Sequence, residues 1–178
     1  MALLSETVDL ELFPGSRATL AFFQEIQNVQ ELKQKLMDRE IEAAMLTPKL
    51  VISPIQVLVA VNKAMHAHSS GHAKTKNVNS EIIFSLSPSS NISESFKRHA
   101  MAADDTAAVV VILNDDTEQS KLKSIAEQIA GKCVPLHLLS NHTDEELMKA
   151  RYKISEAELD IGSLEDAVIC KIATKDVS

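Results

Sequence analysis

The chain has 178 residues, a length that suits one domain, and 45% of them are hydrophobic, which excludes a disordered chain. Aromatic residues make up only 3%, with no Trp and the single Tyr at 152, so the core has to be aliphatic. A formal net charge of −7 argues against strong non-specific nucleic-acid binding by the surface as a whole.

Val8, Leu10 and Leu12 alternate with polar residues, the pattern of a half-buried strand, and Phe13-Pro14-Gly15 supplies a turn. Ala18 to Phe23 reads as a second strand, pairing with the first as an antiparallel hairpin. Val29, Leu32, Leu36 and Met37 fall at helical spacing and predict a helix from Asn28 to about Arg39. Ile41 to Leu46 fits helix or strand equally. Ser53-Pro54-Ile55-Gln56 is a helix start: Ser53 as cap, Pro54 where a missing N–H costs nothing, Gln56 closing a capping box. That helix runs to about His68, stops near Gly71 and is apolar nearly all round, which places it centrally. Ser69 to Asn79 reads as a mobile polar loop.

Ile82, Ile83, Phe84 and Leu86 form an apolar run read as a strand. A small polar loop, Ser87 to Ser90, leads to Asn91, which caps a helix with Glu94 three residues on. Such a loop feeding an exposed helix start, with no His, Cys, Asp or Lys in it, is a surface for binding rather than chemistry. From there the predicted order is strand (Ala107 to Leu113, a β-branched run of a fully covered sheet position), helix (Glu118 to Ala130, with Gly131 past its end) and strand (Val134 to Leu139, an edge because of Pro135). Thr143-Asp144-Glu145-Glu146 starts a helix reaching Tyr152, Ser155 to Glu158 caps a short turn, and Ser163 caps a final amphipathic helix to about Lys175. Together these predict one domain over 1–178, α+β (mixed α/β), with a mixed sheet of about five strands covered by helices.

No apolar run reaches the roughly 18 residues of a membrane helix. The start, Met-Ala-Leu-Leu-Ser-Glu, is too short in apolar residues and too acidic for a signal peptide. Cys133 and Cys170 read as two buried free thiols, so a soluble intracellular protein is expected. No catalytic set emerges. Asp104-Asp105 and Asp115-Asp116 are adjacent pairs whose side chains diverge, as loop and cap residues do, and no phosphate loop or nucleophile motif is present. His66, His68 and His72 lack a nearby carboxylate or Cys, so neither metal nor cofactor is expected. One charge feature stands out. Between Ala43 and Ser80 there is no Asp or Glu, and the window holds Lys49, Lys63, Lys74 and Lys76 with three of the six histidines. It marks Lys63, His66, His72, Lys74 and Lys76 as a candidate nucleic-acid patch.

Four segments carry a resemblance: Asp9 to Pro14, Pro54 to His66, Ser80 to Arg98 and Ile161 to Val177. In their order and spacing the chain resembles the CGI-type family, the small kinase-binding subunits of the KEOPS (EKC) complex. The resemblance implies a non-catalytic regulatory subunit of cytoplasm and nucleus. Such a subunit binds the N-lobe of a PRPK-type atypical kinase and reaches the remaining subunits through it. It supports threonylcarbamoyl-adenosine modification of tRNA processing substrates. Carried onto this chain, the kinase-binding candidates are Ser87, Pro88, Ser89, Asn91 and Ile92, with Ala167 and Lys171 on the last helix. The alternative is an accessory tRNA-binding protein that holds the acceptor end through the local basic patch.

Overall fold

A computed structural model describes residues 3–177. The elements, in order, begin with β1 (Ser5–Asp9), β2 (Arg17–Gln24), α1 (Val29–Met37), β3 (Ala44–Leu46), a 3-10 turn (Pro48–Leu50) and α2 (Pro54–Ser69). There follow α3 (Val78–Leu86), α4 (Ile92–His99), β4 (Ala108–Leu113), α5 (Ser120–Gln128), β5 (Lys132–Val134) and a 3-10 turn (Leu136–Asn141). The chain closes with α6 (Glu145–Tyr152), α7 (Glu156–Ile161), α8 (Leu164–Ala173) and a 3-10 turn (Lys175–Val177). The class is α+β, as the pattern of apolar positions predicts.

The five strands described form one sheet in the order β1-β2-β4-β3, with β5 also on β2, and every pairing is antiparallel rather than mixed. β1 and β5 share one edge of β2 end to end: β1 pairs with Arg17 to Ala21 and β5 with Phe22 to Gln24. The free side of β3 is closed by the chain after α4, where Leu46 bridges Ala100 and the Met101 N–H donates to the Met45 carbonyl. An edge closed in this way cannot pair with another chain.

Alternation along β2 and β4 sorts the core into two layers. Leu20, Phe22, Val109 and Val111 face α2, α3, α6 and α8, meeting Val57, Val61, Ile82, Met148 and Ile172. Ala21, Phe23, Val110 and Ile112 face α1 and α5, meeting Leu32, Leu122 and Ile125. The β-branched run of β4 is buried on both faces, which is why it shows no alternation.

The largest departure from the sequence expectation is residues 82–86, which are helix, not strand. α3 is capped by Asn77, whose side chain accepts from the Ser80 N–H, and it is buried from Glu81 to Leu86. It packs against α2, α4 and β3. A short helix covered on all sides shows no period, so its apolar run looks like a strand. The strand expected at 134–139 is three residues, Lys132–Val134, and Leu136 onward is 3-10. Gly131 does not take the left-handed cap position; a Cβ there would lie 2.8 Å from the Gln24 carbonyl oxygen, so the residue is set by close approach of the chain to β2. The expected cap at Ser53 is present and accepts from the Gln56 N–H at 3.3 Å, and Gly71, at φ +74°, closes α2. Cys133 is half-buried, whereas Cys170 is exposed on α8 instead of buried; both are free.

Candidate functional site

The connection from α3 to α4 is a knot of local hydrogen bonds. The Ser87 hydroxyl accepts from the Ser89 N–H (3.1 Å), the Ser89 hydroxyl accepts from the Asn91 N–H (3.1 Å) and donates to Glu94 (2.7 Å). Asn91 caps α4 by accepting from the Glu94 N–H (2.9 Å). The expected capping box is rewired: Glu94 turns to Ser89 and Arg98 rather than to the N–H of Asn91. The Ser89 bond, with Arg98, Arg151 and Lys153 adding to it, holds the Glu94 carboxyl below its ordinary pKa against the opposing effect of desolvation. Ser87 is 1% exposed and so is spent inside the loop, and Pro88 and Ser89 are half-buried. Asn91 and Ile92 remain at the surface, Ile92 with 42% of its area exposed.

The loop is tied to the core directly before it begins. The Tyr152 hydroxyl, fully buried at the end of α6, donates to the Leu86 carbonyl (2.6 Å) and accepts from the Gln56 side-chain amide (3.1 Å). Gln56, buried at the start of α2, also donates to the Leu50 carbonyl (3.0 Å) and accepts from the Ile52 N–H (2.7 Å).

The other kinase candidates lie on α8. That helix packs on α2, with Glu165 accepting from the Ser53 hydroxyl at one end and the Ile172 carbonyl accepting from Lys63 at the other, so the two helices run parallel. Ala167 is half-buried, and Lys171 points to α7, where Glu158 lies 3.2 Å away. No described hydrogen bond or ion pair joins Ala167 or Lys171 to the Ser87–Ile92 loop.

The basic window is only partly what its sequence indicates. Lys63 lies 3.1 Å from Asp176, and Lys49 lies 3.4 Å from the buried Asp105. Lys74, Lys76, His66 and His72 are exposed. The loop that carries them is pinned: the buried Glu81 carboxylate accepts from the Lys74 N–H, the Thr75 N–H (2.8 Å) and the Thr75 hydroxyl (2.5 Å). Among the described residues, no group of three or more His, Cys, Asp or Glu is placed to hold a metal ion. Asp115 and Asp116 serve α5 instead, accepting from the Lys121, Leu122 and Ser120 N–H groups.

Packing creates a second basic surface that the sequence does not display. A groove of about 590 Å³ opens between α4, the Pro48–Leu50 turn and α6, and is lined by Lys49, Lys97, Arg98 and Arg151 over Leu50 and Leu147. Glu94 is the one carboxylate in its lining and is already shared by Ser89 and Arg98. No described ion pair or side-chain hydrogen bond takes up the charge of Lys97 or Arg151. Signals for this groove are spread over a hundred residues of chain, so only the fold reveals it.

No helix is long and apolar enough to cross a membrane among the described residues. Residues 23–176 match the family model described as kinase binding protein CGI-121. The chain is 40% identical over 172 residues to "EKC/KEOPS complex subunit TPRKB" of Danio rerio, covering 97% of this chain and 98% of that protein. It is 31% identical over 174 residues to "EKC/KEOPS complex subunit cgi121" of Aspergillus fumigatus, covering 93% and 90%. The Neurospora crassa protein of the same name is 30% identical over 164 residues, covering 82% and 76%. A match of this extent identifies the chain as a member of the kinase binding protein CGI-121 family.

Proposed function

We propose that this chain is a non-catalytic adaptor subunit of the KEOPS/EKC complex that docks a PRPK-type kinase and supports threonylcarbamoyl-adenosine formation on tRNA. The observation that carries this reading is the match of 154 of its residues, 23–176, to a kinase-binding family, with relatives described as subunits of that complex. The geometry offers what docking needs. The Ser87–Asn91 knot holds an exposed Ile92 rigidly at the start of α4, so little ordering entropy is lost when a partner covers it. A standard interface buries roughly 1,600 Å² in total, within reach of this surface and one face of α8.

Titration of the purified kinase by calorimetry tests the reading. Ile92→Glu and Ala167→Glu, checked as folded by circular dichroism, are each expected to weaken binding at least about tenfold, roughly 1.4 kcal/mol. Wild-type affinity in both variants removes this surface from the interface.

The groove supports the accessory tRNA reading as a second function of the same complex, because Lys97 and Arg151 are cations without a described intramolecular partner. Two double variants separate the two basic surfaces. If the groove holds phosphates, Lys97→Glu with Arg151→Glu lowers the log–log salt slope of tRNA binding by the assembled complex, by about 0.7–0.9 for each phosphate no longer neutralised. Lys74→Glu with Lys76→Glu does the same if the α2–α3 loop holds them instead. A slope unchanged in both leaves these surfaces as solvated faces.

A further inference from the structure

At the C-terminal end two lysines cross between helices. The last carbonyls of a helix lack partners in their own helix. Lys63, on α2, donates to one of them in α8, the Ile172 carbonyl (2.6 Å), while lying 3.1 Å from Asp176. Lys175, in the turn after α8, crosses toward α3: its ammonium donates to the Phe84 carbonyl (2.5 Å) and sits 3.4 Å from the centre of the Phe84 ring. Each ammonium thus meets the negative end of a neighbouring helix, and the Phe84 ring adds a cation–π contact.

The turn Lys175–Val177 itself buries no residue, and Asp176 and Val177 are exposed. Its attachment therefore rests on the bonds made by Lys63 and on the half-buried Lys175 side chain lying against Phe84. Their gain is set against the entropy of ordering the backbone of three residues. The two nearly offset, the condition for a segment that opens locally while the rest of the fold stays closed.

We propose that the turn Lys175–Val177 is a latch, held by Lys63 on one side and by Lys175 on the other, whose closure fixes the last turn of α8. Its link to kinase docking rests on the adaptor reading given above. The charges around Lys175 tune the latch. Burial, then the positive charge of Lys63, pulls the Lys175 ammonium down to about 8, against the attraction of Asp176 on the turn and Glu81 on α3. Lys175 in turn disfavours a charge on His99 of α4. A lysine whose folded pKa lies below its unfolded value is penalised in its charged form. The penalty is complete below about pH 8 and relieved as pH rises from there toward 10.5, so the latch seats more firmly with rising pH.

Hydrogen exchange on the full chain, corrected for intrinsic rates, tests this. Amides of residues 172–177 are expected to exchange far ahead of β4, and Lys63→Gln or Lys175→Ala to accelerate them about tenfold or more with β4 unchanged. Lys175→Met, which keeps an apolar stem over Phe84 without the charge, is expected to exchange no faster than wild type at pH 7 and to lose the dependence between pH 7 and 9. Exchange of 172–177 at the β4 rate in wild type, or no response to Lys63→Gln and Lys175→Ala, overturns the latch. Calorimetry with the kinase then reads its consequence: affinity is expected to fall with the closed fraction. Wild-type affinity in the opened variants overturns the coupling to docking. Failure of the wild-type chain to bind overturns the adaptor reading and leaves the exchange result standing.

Discussion

Replacing His99 by Phe is expected to leave stability at pH 7.5 within about 1 kcal/mol of wild type, and to remove a large part of the acid sensitivity of the fold. His99 is 2% exposed, its Nε2 has no hydrogen-bond partner, and its ring meets the edge of Tyr152 at 5.8 Å. Burial first, then the positive charges of Lys175, Arg98 and Arg151, lowers its pKa from 6.5 to about 3. Between these values the unfolded chain takes up a proton that the folded chain refuses. Stability from the neutral ring is therefore fully present above about pH 6.5 and is lost as pH falls toward 3. At about 1.4 kcal/mol per pH unit the loss amounts to about 4–5 kcal/mol, a large share of a typical domain stability. The carboxylates held low by their partners, Glu31, Glu94, Asp116 and Glu158, titrate below their ordinary values near 4 and so act in a lower window. Urea midpoints for wild type and His99→Phe from pH 7.5 down to 4.5 check this. Equal slopes in the two proteins would show that another group drives acid unfolding.

The second large effect is expected at Gln56. Its side chain joins the Leu50 carbonyl, the Ile52 N–H and the Tyr152 hydroxyl, and Tyr152 passes the connection to Leu86. Three chain segments far apart in sequence, 50–56, Leu86 and Tyr152, meet there around the buried Gln56 amide. Gln56→Leu keeps the volume but strands a buried donor and a buried acceptor at about 1–3 kcal/mol each, so a loss of about 3–5 kcal/mol is expected. Tyr152→Phe, which strands the Leu86 carbonyl and one N–H of the Gln56 amide, is expected to cost about 2–4 kcal/mol. Because the two share a bond, the double variant should cost less than the two single losses together. Chemical denaturation of all four proteins reads the cycle. A loss below about 1 kcal/mol for Gln56→Leu would mean that water replaces the missing amide.

These two residues also show what a sequence reveals. Ser53-Pro54, Ser155 and Ser163 announce helix starts because a cap is a local event, decided within four residues. β4 announces itself because both its faces are covered. Gln56 is visible only as a helix-start residue; its role as a junction depends on Tyr152, 96 positions away. The acid-free window marks Lys63 as a free cation, yet Asp176 sits beside it in space. Lys97 and Arg151, unremarkable along the chain, share a groove once α4 and α6 are packed. Charge read along the chain misses partners and neighbours that folding supplies.

The order of the strands constrains how the chain is made. β4 lies between β2 and β3, both of which precede it, and β5 completes the edge that β1 leaves half covered. Before β4 is made, β2 has β1 as its sole strand neighbour, and each face lacks part of its cover, α6 and α8 on one side and α5 on the other. Loops of about ninety residues must close before the centre of the sheet exists, from Ala18 to Leu113 in the register of the first pair. A topology of this kind folds late and slowly, and its half-made state displays apolar strand surface in the interval. The nascent chain is thus exposed to aggregation until β4 has been synthesised and has inserted between its two earlier neighbours.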